Sequence, residues 1–352
     1  MAEKLLDEAL DTQDLHRYFV RLQAMAGIDD IGCDRLIKAT AFPTIPTWTF
    51  SNLQMGCLCD GLPGARFRQL LLTIADREDG LDVALDIMQM RAFSLRSQGK
   101  GLDPDDRATG RDLLSKVTFS KYRNSEGYKL AEIAKACLTT ASDHAAAETL
   151  CSNLLAATEA GKVHASDYGE LIGVLAASFP RAVLDVLVDR RQAGDEGRRD
   201  IFRSFRNHDR RCPLANVDDE TMLSWAQEDP DRRFIYLAEA IRPWRKADGS
   251  ENHNEPGPLV WSETALRLVR ESHDPILVLS TYFRRFRPSI WMGSLADLLE
   301  SKLPLLRELS RDPNPLIARW ADQAVGPLAA EVESARAWEG KQDRQRDEQF
   351  PW

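Results

Sequence analysis

The chain has 352 residues, 43% of them hydrophobic and 29% charged, with a formal net charge of −9. That balance fits a folded protein with room for two ordinary domains or one extended helical stack, and it excludes a disordered chain. A uniformly acidic protein is a poor general nucleic-acid binder, and no run of about 18 apolar residues is present to span a bilayer.

The opening MAEKLLDEAL carries Glu3, Asp7 and Glu8, unlike the basic start of a signal peptide. Six cysteines lie scattered at 33, 57, 59, 137, 151 and 212, several in apolar helical contexts. Buried free thiols and a cytoplasmic location are therefore expected. Residues 1–38 read as two or three short helices: Leu5, Leu6 and Ala9, then Leu15, Tyr18, Phe19 and Leu22, follow the three-and-four spacing of an amphipathic helix. Residues 39–65 break the pattern. Pro43, Pro46, Gly56, Gly61, Pro63 and Gly64 mark a loop with room for one short helix.

Two helices follow over 66–96, parted at Gly80, and Asp103-Pro104 starts another that reaches about Phe119. Between 126 and 191 the spacing predicts four helical runs, broken at Ser142, Gly161 and Pro180. Residues 193–212 are rich in arginine. The stretch 243–258, PWRKADGSENHNEPGP, is the most polar and least periodic, and a mobile loop is expected there. VLVD and PLVW are too short for useful strands, so a parallel α/β core is not expected.

From Asp229 to Trp338 one pattern recurs: an Asp-Pro turn, then an amphipathic run. Pro230, Pro275 and Pro315 stand 45 and then 40 residues apart. Pro suits the first turn of a helix, where its missing N–H is not needed, and the preceding Asp can accept the free N–H groups there. Helical-hairpin repeats of the HEAT or armadillo type run at about 40–47 residues. The expected fold is all-α, a solenoid of such hairpins. It is divided softly into an N-terminal helical region over 1–122, which holds the 39–65 loop, and repeats over 123–352 that end in a charged tail.

No motif for chemistry survives scrutiny. Gly99-Lys100 resembles the end of a phosphate loop, but Ser94 stands where its first Gly should be and Gly101 where Ser or Thr should hold magnesium. Cys57-Leu58-Cys59 lacks a second ligand pair at zinc spacing, and the 248–259 stretch fails as a calcium loop at His253 and Leu259. The six histidines form no recognisable triad, and G-x-S-x-G is absent. The expectation is a non-enzyme with no cofactor and no metal.

The strongest local signal is the arginine run, which includes Arg198, Arg199, Arg203, Arg206, Arg210 and Arg211 with Phe202 and Phe205 interleaved. Such a run could hold phosphates or dock an acidic partner by bidentate pairing. Its simpler reading is a solvated face paired with nearby Asp and Glu. Trp48, in the Pro-rich stretch, and Trp244, beside the polar loop, are candidate contact residues. Each could equally pack on its own hairpin.

The segment from PLVWSETALRLVRESHDP through RDPNPLIARWADQAVGPLAAEVESARAWE, with the ending DRQRDEQF, resembles the C-terminal HEAT-like helical regions of large bacterial NTPases of the antiphage-defence kind. GLDVALDIMQMRAFSLRS resembles their repeats more loosely. The ATPase motifs of those proteins are not found in this chain. The resemblance therefore implies a recognition or scaffold module that binds a partner protein, with an accessory place in a bacterial antiviral defence complex as one setting. The alternative is a nucleic-acid-binding accessory subunit that uses the arginine face. No membrane association is expected.

Overall fold

A computed structural model describes residues 2–119, 126–189, 201, 205, 212–248, 258–288, 291 and 293–349. The described residues fall into two compact units. One runs to Leu187 and includes Ile201; the other holds Val188, Asp189 and Phe205 with everything from Cys212 onward. The expected soft division near 122 falls on residues 120–125, outside the described residues.

The first unit is all helical. It comprises α1 (Ala2–Asp11), α2 (His16–Ala26), α3 (Asp30–Thr40), a 3-10 helix (Thr47–Cys57), α4 (Gly64–Ala75), α5 (Gly80–Ser97), α6 (Pro104–Ser115), α7 (Glu126–Cys137), α8 (His144–Glu159), α9 (Gly169–Ser178) and α10 (Pro180–Val183). The stretch expected as a loop over 39–65 thus carries an 11-residue 3-10 helix. Pro46, extended at ψ 137, opens it, and Phe50 and Leu53 bury one side. All four runs expected between 126 and 191 begin as helices, though the last becomes a π turn over Leu184–Val188.

Packing in this unit follows chain order. α4 lies against α5 and α6, α5 against α7, α6 against α7 and α8, and α7 against α9. The apolar faces responsible are Phe67, Leu70, Leu71 and Ile74 on α4, Ala84, Leu85 and Met88 on α5, and Leu130, Ile133 and Ala134 on α7, all at most 4% exposed. Gly127 admits its neighbour because a Cβ there would run into the Asp167 carbonyl.

The second unit holds α11 (Asp219–Gln227), α12 (Pro230–Ala240), β1 (Trp244–Lys246), β2 (Leu259–Trp261), α13 (Glu263–Glu271), α14 (Pro275–Phe283), α15 (Leu295–Glu300), α16 (Leu303–Leu309) and α17 (Pro315–Gln349). The Asp-Pro turns do open helices, but each caps in its own way. Asp274 accepts the Leu277 N–H at 3.0 Å. At Pro315 the acceptors are Asn314, from Leu316 N at 3.0 Å, and Asp312, from Asn314 N at 2.9 Å. Asp229 does not cap its helix; its Oδ2 takes the Arg232 Nε at 3.0 Å instead. Asp103, in the first unit, caps α6 through Asp106 N at 2.7 Å.

PLVW, set aside as too short, supplies a strand after all. Leu259–Trp261 pairs antiparallel with Trp244–Lys246, in the register Trp244 to Trp261. Three residues suffice because the ribbon is covered: β2 lies against α16, and Trp261 donates its indole N–H to the Leu305 carbonyl at 2.9 Å. The expected loop over 243–258 therefore begins as structure, and its residues 249–257 lie outside the described residues.

Several side chains in this unit join across 42 to 47 residues, although Arg336 reaches Glu300 across 36. Arg233 reaches Asp189 across 44 residues, Thr264 reaches Asp219 across 45, and Arg267 reaches Glu220 across 47. Arg270 reaches Asp312 across 42, and Ser294 reaches Glu339 across 45. Among the described residues no helix is long and apolar enough to cross a membrane.

Candidate functional site

Arg198, Arg199, Arg203, Arg206, Arg210 and Arg211 lie outside the described residues. Trp48 sits on the 3-10 helix and is 67% exposed. Trp244 is no free aromatic. It packs edge-to-face on Phe286, with ring centroids 5.2 Å apart, and the Lys302 ammonium stands 5.5 Å from its ring centre. Lys302 is 6% exposed and donates to the Phe286 carbonyl. Burial, only partly opposed by Glu331, pulls its pKa down to about 8. The aromatic run at the end of α14 belongs to the same cluster. Tyr282 and Phe286 are buried against Trp261, and Arg285 donates to the carbonyls of Ala238 and Ile241.

Cys33, Cys59, Cys137 and Cys151 are buried free thiols, and Cys212 is half-buried. Desolvation pushes Cys59, Cys137 and Cys151 up to about 12, so each stays protonated at neutral pH. A small cleft of about 180 Å³ is lined by Arg77, Asp79, Asp82, Phe119 and Glu126 among others. Asp79 and Phe119 hold positive φ there, at 54° and 49°. Its volume falls below the roughly 300 Å³ at which small-molecule pockets begin. Its charged groups are engaged: Arg77 donates to the carbonyls of Thr40, Phe42 and Ile45, and Glu126 accepts from Tyr168 at 3.0 Å.

The most unusual surface is on α2. Its sequence, HRYFVRLQAMA, carries two apolar stripes. One, built on Phe19, Val20 and Ala24, is buried together with His16 and Gln23. The other, Leu15, Tyr18, Leu22 and Met25, faces outward at 38%, 47%, 42% and 78% exposure. Leu15 sits in the 3-10 turn that leads into the helix, and Gly27, at φ 101°, ends it. With 3.6 residues per turn, the four outward residues fall within about 80° of arc.

Spacing alone groups Leu15, Tyr18 and Leu22 with Phe19, yet the fold buries two polar residues in preference to those three. The reason is hydrogen bonding. His16 holds Thr44 Oγ1 at 2.5 Å through Nδ1 and the Leu10 carbonyl at 2.8 Å through Nε2. Its ring also packs edge-on against Phe42 at 5.1 Å. Gln23 donates to the Gly27 carbonyl at 2.8 Å, and its amide fills the space where a Cβ on Gly32 would stand. A buried polar group is tolerated once it is paired, and these contacts pair both His16 nitrogens and the Gln23 amide nitrogen, although the Gln23 Oε1 is buried without a partner among the described residues. Together with the burial of Phe19, Val20 and Ala24 they set which side of α2 points in.

The result is an exposed seam flanked by two cations. Arg17 and Arg21 are both exposed, one turn apart, and Arg17 lies 4.6 Å from the Tyr18 ring centre. Met55, 64% exposed, belongs with Trp48 to the 3-10 helix that packs against α2. No sequence signal beyond spacing could have found this surface, because the partners that orient α2 come from residues 10, 27 and 44. No family model, no curated protein and no solved structure matches the chain, so the surface is judged on its own geometry.

Proposed function

We propose that this chain is a non-enzymatic scaffold or recognition subunit, a stack of HEAT- or armadillo-like helical hairpins that binds a partner protein. The seam of Leu15, Tyr18, Leu22 and Met25 carries the reading. Single exposed apolar residues are ordinary on any protein surface, but four on one arc, three on α2 and Leu15 in the turn that leads into it, favour a contact site. The solenoid arrangement draws support from the side-chain links at 42 to 47 residues, the separation expected of facing positions in adjacent hairpins. A place in a bacterial antiviral complex rests on the sequence resemblance alone.

Affinity purification of the tagged chain from its native host, followed by quantitative mass spectrometry, tests the reading. The expected outcome is one or a few proteins recovered near stoichiometry. Recovery of none, at native expression, would overturn it. The nucleic-acid alternative depends on Arg198 through Arg211 and is tested separately by the salt dependence of DNA or RNA binding.

A further inference from the structure

We infer that the outer face of α2 docks one amphipathic helix of the partner, a helix with apolar residues at heptad spacing and carboxylates along one flank. This deepens the scaffold reading above and rests on it.

The spacing identifies a helix as the occupant. Leu15, Tyr18, Leu22 and Met25 alternate three and four residues apart, the narrow seam that faces a single neighbouring helix in a coiled coil. A flat sheet or globular surface would meet a wider band, of the kind that the inward face of a core helix presents. Leu, Tyr and Met together also give large, adaptable contact area for a helix laid in a groove.

Charge identifies the partner's flank. Some surface cations of the same unit are tied to carboxylates, Arg96 to Glu132 at 2.7 Å, Lys116 to Asp76 at 2.7 Å and Lys38 to Asp11 at 3.1 Å, while the exposed Lys4, Lys100, Lys135 and Lys162 have no ion pair among the described residues. Arg17 and Arg21 are not ion-paired among the described residues. They occupy the arc between Met25 of the seam and buried Ala24, with Arg21 the nearer to the seam, in a protein whose net charge is −9. Asp14 shares that flank at its N-terminal end, which leaves it with one net positive charge. Arginine offers a planar fork to carboxylates and gains from being partly desolvated at the rim of an interface. Two unpaired arginines beside an apolar seam thus favour a partner with Asp or Glu at the matching positions and disfavour one with Lys.

The test uses the full chain and two synthetic helical peptides of about four heptads, both with Leu at the core positions. One carries Glu at the flanking positions and the other Lys. Fluorescence anisotropy should show the Glu peptide binding at least about tenfold more tightly than the Lys peptide. Arg17→Glu with Arg21→Glu should reverse that preference. Leu22→Ser with Met25→Ser should weaken the Glu peptide at least about tenfold while leaving circular dichroism unchanged, since both residues are exposed. Equal binding of the two peptides, binding of neither, or indifference to Leu22→Ser with Met25→Ser would overturn the inference. So would a solution dimer dissolved by that double substitution, which would assign the seam to a second copy. A host partner recovered equally well with the double variant would sink the docking site and leave the scaffold reading standing. Peptide binding as expected, with no partner recovered from the host, would do the reverse.

Discussion

Arg91 Nε stands 3.0 Å from both carboxylate oxygens of Asp106, and neither side chain is more than 4% exposed. The remaining guanidinium nitrogens go to the carbonyls of Cys59 and Leu62, and the Phe67 ring lies 4.3 Å away. One arginine thus ties the end of the 3-10 helix region to α4, α5 and α6. Burial pushes the Asp106 carboxyl up, and Arg91 opposes that shift.

Removing Arg91 leaves a buried carboxylate and two carbonyls without this partner. Arg91→Ala is expected to cost about 3–5 kcal/mol, read as a lower urea midpoint at unchanged slope. Replacing both members, Arg91→Met with Asp106→Leu, should recover part of the loss, because no charge then remains to be desolvated although the Cys59 and Leu62 carbonyls still lack this donor. A single variant as stable as the wild type would show that the clamp contributes nothing.

Asp143 makes the opposite case among buried acids. Burial raises its pKa, but Arg111 at 2.5 Å and the N–H groups of Thr139 and Thr140 outweigh that and hold the carboxyl down at about 2. The folded value lies below the unfolded one, so the stabilisation is complete above about pH 4 and is lost as pH falls through about 2. Asp143→Asn should therefore destabilise by about 2 kcal/mol at neutral pH. The gap to wild type should close in acid, as followed by thermal melts across that window.

Lys302 titrates in the other direction. Its folded pKa of about 8 lies below the unfolded value, so the buried charge is unfavourable at neutral pH and is relieved as the ammonium loses its proton. Between about pH 8 and pH 10.4 the wild type should gain about 3 kcal/mol relative to Lys302→Met. Paired denaturation curves cancel the titrations that the two proteins share. A constant difference over that range would place the ammonium in water.

How much of this was legible before the fold is clearest at particular residues. Asp103-Pro104, Asp274-Pro275 and Pro315 announce helix starts, since the signal lies in one turn of backbone and its own side chains. The all-helical class follows from the same local rules, summed over many turns. The Trp244–Lys246 ribbon was invisible, because a three-residue strand has meaning only beside its partner. The Arg91–Asp106 pair was equally hidden: nothing at position 91 distinguishes an inward arginine from a solvated one.

The chain alone determined where its helices begin and that sheets would not organise it, because capping and helical periodicity act over a few neighbouring residues. The tertiary structure decided which stripe of α2 turns inward. His16 and Gln23 can be buried only once Thr44, the Leu10 carbonyl and the Gly27 carbonyl receive them. Those hydrogen-bond partners, with Phe19, Val20 and Ala24 on the same face, turned that stripe inward and left Leu15 and Leu22 outside.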